Sequence, residues 1–379
     1  MRFEFDIELD TGKHSVFITK GELHQIGAYI KGLFPEIWKS FVIADQTVYQ
    51  LYGKQLINSL KESDLEPGYA IIPNGEQHKS LQMASEVYEQ LDAHGIDRKS
   101  VIIALGGGMI GDLGGFVAAS YLRGVPLIHV PTTLLAQADS CIGGKVAINH
   151  SAGKNRIGFF YNPIMIFTDV TLLKSLTSRE INSGMAEIIR HGVILDKKFF
   201  HWIEENHEKI KKLDQETMLE LVYRSCLIKK KVIERDHLEQ EGYRKILNFG
   251  HTIAHVLEDL TDYKRYQHGE AVAIGMVQIS HFAQHLGLIT KKDVICLIHL
   301  LKKFNLPLDL PRDLSVEAIM KAIKWDKKSE YNHVTLVLPQ RIGQVTLVDH
   351  WNKNELNQVL NDNLIKNREE RLWQLCVAT

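Results

Sequence analysis

Asn248-Phe-Gly-His251-Thr-Ile-Ala-His255 sets two imidazoles four residues apart, which in a helix places both on one face. Such a pair can grip a zinc ion, and spacing alone does not say which of the two is the ligand. The residues between them lack the general-base glutamate of HExxH, so metalloprotease chemistry is excluded. A third histidine opens His268-Gly-Glu-Ala-Val-Ala-Ile-Gly-Met276, at the start of an apolar helical pattern. Glu187 sits in Ser183-Gly-Met-Ala-Glu187-Ile-Ile-Arg190, an otherwise apolar turn where an unpaired carboxylate is costly. Taken singly, each histidine reads as an ordinary core or capping residue. Taken together, one glutamate and two histidines with an open position make a catalytic rather than a structural metal set.

A second chemical motif lies upstream. Val101-Ile-Ile-Ala-Leu105 runs straight into Gly106-Gly-Gly-Met-Ile-Gly111-Asp112, a strand leading through glycines into a helix expected to begin near Gly111. Glycines let backbone approach a phosphate, and a helix N-terminus offers it N–H groups and a positive dipole end. The spacing satisfies GxGxxG. Yet the acid expected about 20 residues later is absent from Pro126 to Thr133, which disfavours a simple Rossmann dehydrogenase. A ribose-binding acid must come from elsewhere: Asp45 after the strand Phe41 to Ala44, or Glu76, with Lys79, in Pro73-Asn-Gly-Glu-Gln-His-Lys79.

Cationic candidates for gripping an anionic substrate follow. Asp139-Ser-Cys-Ile-Gly-Gly-Lys145-Val-Ala-Ile-Asn149 and Gly153-Lys154-Asn155 present lysines beside glycine-rich backbone. Arg123, Lys229, Arg244 and Lys327-Lys328 are further cations set among glycine and apolar neighbours rather than among other charges.

The elements that must position these groups fall into two textures. At 379 residues the chain exceeds the size of one ordinary core, so two domains are expected, 1–170 and 171–379. Arg2 to Lys20 alternates around Asp10-Thr11-Gly12 as a hairpin that joins the edge of a larger sheet. Short apolar runs at Phe41 to Ala44, Ala70 to Ile72, Val101 to Leu105, Leu127 to Val130 and Met165 to Phe167 alternate with helical patterns, the mark of a mainly parallel sheet. Long amphipathic stretches then dominate: Leu176 to Leu195, Gln215 to Glu234, His251 to Leu260, Gly269 to Leu286 and Lys291 to Phe304. A late hairpin is expected over His333 to Leu338 and Gly343 to Val348, and a charged helix or helix pair over Asn352 to Cys376. The fold class expected is an α/β N-terminal Rossmann-like domain followed by a C-terminal, essentially all-α domain.

Apolar residues make up 45% and charged residues 24%, and 45 basic side chains face 46 acidic ones. This near-neutral balance argues against nucleic acid or an anionic membrane as partner. Four scattered cysteines form no disulfide framework or metal knuckle, the N-terminus has no secretory h-region, and no stretch is apolar enough to span a bilayer. A cytoplasmic location is expected.

In this order, GGGMIGDLGGFVAASYLRG, VPTTLLAQADSCIGGKVAINH, GKNRIGFFYNP, GMAEIIRHG, LNFGHTIAH and HGEAVAIGM resemble the 3-dehydroquinate synthase family of sugar-phosphate cyclases, over about residues 40 to 345. The resemblance implies a dehydroquinate synthase-like fold, a homodimer, and an active site in the cleft between the two domains. It implies Glu187, His251 and His268 as zinc or cobalt ligands and turns His255 towards substrate. It assigns Asp45, Glu76, Lys79, Gly107, Gly108, Asp112, Thr132 and Thr133 to NAD, with Lys145 and Lys154 close to the cofactor. Asp139, Lys145, Asn155, Arg190, Lys229, Arg244, Asn248 and Lys328 would contact substrate, and Arg123 would reach the partner subunit's site. The implied reaction converts 3-deoxy-D-arabino-heptulosonate 7-phosphate to 3-dehydroquinate and phosphate in the shikimate pathway, through transient oxidation, phosphate elimination, reduction and an intramolecular aldol step. NAD is recycled in each turnover. Alternatives are another cyclase acting on sedoheptulose 7-phosphate or glucose 6-phosphate, or a metal-dependent polyol dehydrogenase of similar fold. One position departs from the family motif: three residues after the metal glutamate, lysine is replaced by Arg190.

Overall fold

A computed structural model describes residues 2–323 and 334–377. Contacts divide the chain into two units, Met1–Thr177 with Lys212–Leu238, and Ser178–Lys211 with Glu239–Thr379.

The first unit carries β1 (Phe3–Leu9), β2 (Gly12–Thr19), β3 (Lys39–Asp45), β4 (Glu66–Ile72), β5 (Val101–Gly106), β6 (Leu127–Pro131), β7 (Lys145–His150), β8 (Gly153–Phe160) and β9 (Met165–Asp169). Seven of them form one sheet in the order β1-β2-β9-β6-β5-β3-β4. All neighbours are parallel except the β1–β2 hairpin, whose second strand joins β9 as the sequence pattern requires. Side chains alternate with the period of two that a strand imposes. Phe41, Ile43, Ile102 and Ala104 enter one buried cluster, while Val42, Ala44, Val101, Ile103 and Leu105 enter another, so both faces are covered. The chain passes from β3 to β4 on one side, then places β5 on the other side of β3. Strand order reverses there, and Ala44 and Leu105 lie in register across it, so Asp45 and the glycine turn leave the sheet side by side. Ligands of open α/β sheets bind at such a reversal.

One local expectation is corrected, and one stretch without an expected element gains one. The helix after β5 begins at Gly108, not near Gly111, because Gly107 is extended and its carbonyl already accepts Gly111 N–H at 3.0 Å. The stretch from Lys145 to Asn155, read as lysines beside glycine-rich backbone and given no element, lies in the β7–β8 hairpin.

The second unit is helical: Ser178–Leu195, Lys197–Lys211, His251–Leu260, His268–His285, Lys291–Lys303, Val316–Ile323 and Lys353–Val377. It also holds an antiparallel hairpin of β10 (Leu336–Arg341) and β11 (Gln344–Val348). Helix His268–His285 is buried along most of its length and packs on His251–Leu260 and Ser178–Leu195. The approach is closer than a methyl group permits. A Cβ on Gly269 would lie 1.9 Å from Ser183 O, and one on Gly275 would lie 2.0 Å from Gly250 O. These contacts fix the three helices that bear Glu187, His251 and His268.

Candidate active site

Glu187 lies mid-helix and fully buried, whereas His251 and His268 are each the first residue of their helix. The His268 helix start is set by a reciprocal cap in which Gln267 N–H donates to Glu270 Oε2 at 2.8 Å. Glu187 Oε1 stands 3.5 Å from His251 Nε2 and 3.2 Å from His268 Nε2. One donor atom from each of the three residues lies within 4.8 Å of the others. Each ring turns its Nδ1 away from this point: His251 towards Phe249 O at 3.4 Å, and His268 towards Glu258 Oε1 at 3.1 Å. With Nδ1–H donating to those acceptors, both Nε2 atoms are left as lone-pair donors facing the glutamate, the state a metal requires.

The electrostatics fit a cation. Burial pushes the His251 imidazole well below its ordinary range despite the nearby Glu187 charge. Burial also opposes charging His268, but hydrogen bonds with Glu187 and Glu258 outweigh it and lift that ring to about 10. Two buried carboxylates thus hold a positive charge at a point where a divalent ion can stand in for the proton. His255 is outside the trio, with ring centroids 5.5 Å from His251 and 6.4 Å from His268, so it borders the cluster without joining it.

Glu258 escaped the sequence reading. The signal was present: it is seven residues after His251 on the same helical face, and it is an acid in an otherwise apolar position, only 7% exposed. Arg190 is buried one turn from Glu187 and donates to its Oε2 and to Leu247 O. Arg244 is buried in the short helix Tyr243–Asn248, whose last residue, Asn248, is exposed two residues before Gly250. Lys327 and Lys328 lie outside the described residues.

In the first unit, Gly107 caps the helix Gly108–Ser120, so the N–H groups of Gly108, Met109 and Ile110 have no partner within that helix. Thr132 N–H donates to Gly106 O at 3.0 Å, and Thr133 Oγ1 accepts Ala136 N–H at 3.2 Å, which seats both threonines beside the turn. A narrow recess is lined by Gly106, Gly107, Gly108, Asp112, His129 and Lys145, among others. Asp45 accepts Val48 N–H at 2.9 Å, and its burial raises the carboxyl above its ordinary range.

Lys79 is the hub of this region. Its Nζ lies 3.0 Å from Asp112 Oδ2, 3.1 Å from Glu76 Oε1 and 2.5 Å from Asn155 Oδ1. Burial disfavours the ammonium, but Asp112 and Glu76 more than offset it. Asn155, at φ 52°, is further held by its N–H to Asn149 Oδ1 at 3.0 Å, and Lys154 reaches Glu76 at 3.9 Å. Glu76, Lys79, Asp112, Lys154 and Asn155 are therefore gathered in one place, although Asn155 and Lys154 were expected at different ligands. A second pair is equally tight: Lys229 Nζ forms an ion pair with Asp139 Oδ1 at 2.6 Å and donates a hydrogen bond to Asp139 O at 2.7 Å. Arg123 stands apart, exposed on a turn of positive φ at the opposite end of helix Gly108–Ser120 from Gly107. At 1.5 Å per residue that helix separates it from the glycine turn by about 20 Å.

Comparison with known proteins adds the family. Residues 69–183 match the model of the 3-dehydroquinate synthase N-terminal region, and residues 184–329 that of the 3-dehydroquinate synthase C-terminal region. A 3-dehydroquinate synthase from Desulforamulus reducens is 43% identical over 356 residues, 93% of this chain and 99% of that protein. The solved 2-epi-5-epi-valiolone synthase of Streptomyces hygroscopicus subsp. jinggangensis, with NAD+ and Zn2+ bound, superposes with a TM-score of 0.84 at 26% identity, covering 93% of this chain and 97% of that one. A 2-deoxy-scyllo-inosose synthase complexed with carbaglucose-6-phosphate, NAD+ and Co2+ gives 0.80 at 26% identity, covering 95% and 100%.

Proposed function

Because the chain belongs to the 3-dehydroquinate synthase family, we infer that it converts 3-deoxy-D-arabino-heptulosonate 7-phosphate to 3-dehydroquinate and phosphate, using NAD and a zinc or cobalt ion. The observation that carries this reading is the cluster of buried Glu187 with half-buried His251 and His268, with both rings oriented by Nδ1 acceptors, on a chain of such identity to a named synthase. Glu187 Oε1 and the two Nε2 atoms would hold the metal. The reversal of strand order, with Asp45, Glu76, Lys79 and the Gly107–Gly108 turn, would hold the nucleotide.

When bound, the metal supplies Lewis acidity to vicinal hydroxyls and NAD takes and returns one hydride. The chain's own residues do the rest. The helix N-terminus at Gly108 presents N–H groups to a pyrophosphate. Lys145, Arg244 and Lys229 neutralise the substrate's phosphate and carboxylate, and Asp139 keeps the Lys229 ammonium in one place. Asn155, aimed by Lys79, and Asn248 orient hydroxyls, while His255 accepts or returns a proton beside the cluster. A proton lost as phosphate leaves can be taken by the departing phosphate's own oxygens, so these side chains chiefly position and stabilise charge. The working form proposed is a cytoplasmic homodimer in which Arg123 serves the partner subunit's site. Among the described residues no helix is long and apolar enough to cross a membrane.

The test is direct. Purified protein given the heptulosonate phosphate, NAD and zinc should release phosphate and form dehydroquinate without accumulating NADH. Sedoheptulose 7-phosphate and glucose 6-phosphate, tried in parallel, should turn over far more slowly. No turnover by metal-replete protein, or preference for either other sugar phosphate, overturns the assignment.

A further inference from the structure

Arg190 occupies a position expected to touch substrate, but its guanidinium is turned into the protein. It is 1% exposed and among the largest fully buried side chains. Nε–H donates to Glu187 Oε2, Nη1–H donates to Leu247 O, and Nη2 stands 3.2 Å from His191 Nε2. Guanidinium has no acceptor, so His191 Nε2 must be the accepting, unprotonated nitrogen. The two Glu187 oxygens therefore have different work: Oε2 belongs to Arg190, and Oε1 faces His251 and His268. Arg190 thus turns the carboxylate so that Oε1, and not Oε2, is the oxygen directed at the two imidazoles. Leu247 precedes Asn248 and lies four residues before His251, so the same planar group also ties down the segment that delivers a second ligand.

We propose that Arg190 is a positioning residue of the metal centre: it holds Glu187 as a one-oxygen ligand and anchors the Leu247 carbonyl, rather than contacting substrate. The proposal rests on the metal reading above. A lysine ammonium is a point charge on a flexible stem and cannot reproduce the rigid fork that reaches a carboxylate and a carbonyl at once.

Arg190→Leu and Arg190→Lys, with wild type, should be loaded with Co2+ and followed by visible absorption, and their Zn2+ affinity measured by competition with a chromophoric chelator. Wild type should bind one ion per chain. In Arg190→Leu the freed Glu187 should change the cobalt spectrum towards higher coordination, and zinc should bind roughly 10–100-fold more weakly, the usual cost of losing an outer partner of a ligand. Arg190→Lys should show the same spectral change with smaller loss of affinity, and kcat should fall in both while KM for the sugar phosphate holds. Should the leucine variant fail to fold, the lysine variant carries the test. Wild-type cobalt spectrum and zinc affinity in Arg190→Lys, with a raised KM, would mean that Arg190 touches substrate and would overturn the proposal. Absence of stoichiometric metal from wild type would instead overturn the metal reading itself.

Discussion

Glu258 shows how a single side chain outside the cluster can control it. Its carboxylate receives the His268 Nδ1–H at 3.1 Å and thereby fixes which nitrogen faces Glu187. Glu258→Gln keeps the shape but removes the charge, and zinc should bind roughly 10-fold or more weakly, as chelator competition would register; unchanged affinity would refute the role. His129 offers a test of a different kind. It is buried in β6 beside the glycine turn, and burial alone presses its imidazole from 6.5 down to about 4. Between those values the unfolded chain binds the proton and the folded one does not, so the stability contributed is intact above 6.5 and drains away as pH falls towards 4. Denaturant midpoints measured across that window should slope less in His129→Gln, the two proteins diverging by on the order of 3 kcal/mol at its acid end. Parallel slopes would show that the ring takes its proton in the folded state. From the residues alone the sequence offered Glu187, costly in its apolar turn, and three candidate histidines; the family resemblance narrowed these to Glu187, His251 and His268, whose donor atoms lie within 4.8 Å of one another. The sequence could not separate His251 from His255 by spacing, and it gave no warning that Arg190 points inward, since side-chain direction is set by packing against Leu247, 57 residues away.

Helices and strands were legible wherever the hydrophobic period was long. Helix His251–Leu260 was read to the residue, and Gln215–Arg235 and His268–His285 to within one, because their apolar faces repeat over several turns. The β7–β8 hairpin was missed for the opposite reason. Its second strand, Gly153–Phe160, exposes nearly every side chain and so shows no inward and outward alternation, while only Val146 and Ile148 mark the first. At this scale the glycines of the third ligand helix matter most. A methyl group on Gly275 has nowhere to go with Gly250 O at 2.0 Å, and Gly250 immediately precedes His251. Gly275→Ala should lower stability by roughly 1–3 kcal/mol in chemical denaturation and weaken zinc binding with it. Equal stability with intact metal binding would show that the helices can part without moving the ligand.

For the whole molecule, chain order and spatial grouping do not coincide. Helix Gln215–Arg235 sits in the first unit, against β1 and β2, although Glu187 of the second unit precedes it in sequence. Its amphipathic pattern says that one face is buried but not by which neighbour, so composition could not reveal the return. The proposed dimer makes a prediction at this scale. If Arg123 completes the partner's site, inactive Arg123→Ala and inactive Glu187→Ala, mixed under conditions of subunit exchange, should recover about a quarter of wild-type turnover, because half the dimers are hybrids with one intact site. No recovery from verified hybrid dimers would place Arg123 in its own subunit's site or in none. The order of synthesis gives the ion pair of Glu187 and Arg190 a further meaning. His251 leaves the ribosome 64 residues after Glu187 and His268 81 residues after it, by subtraction of their positions. At about 5–20 residues per second that is a wait of roughly 3–16 s. Arg190 follows within a single helical turn, so the charge partner that Glu187 has in the folded protein is synthesised long before either imidazole.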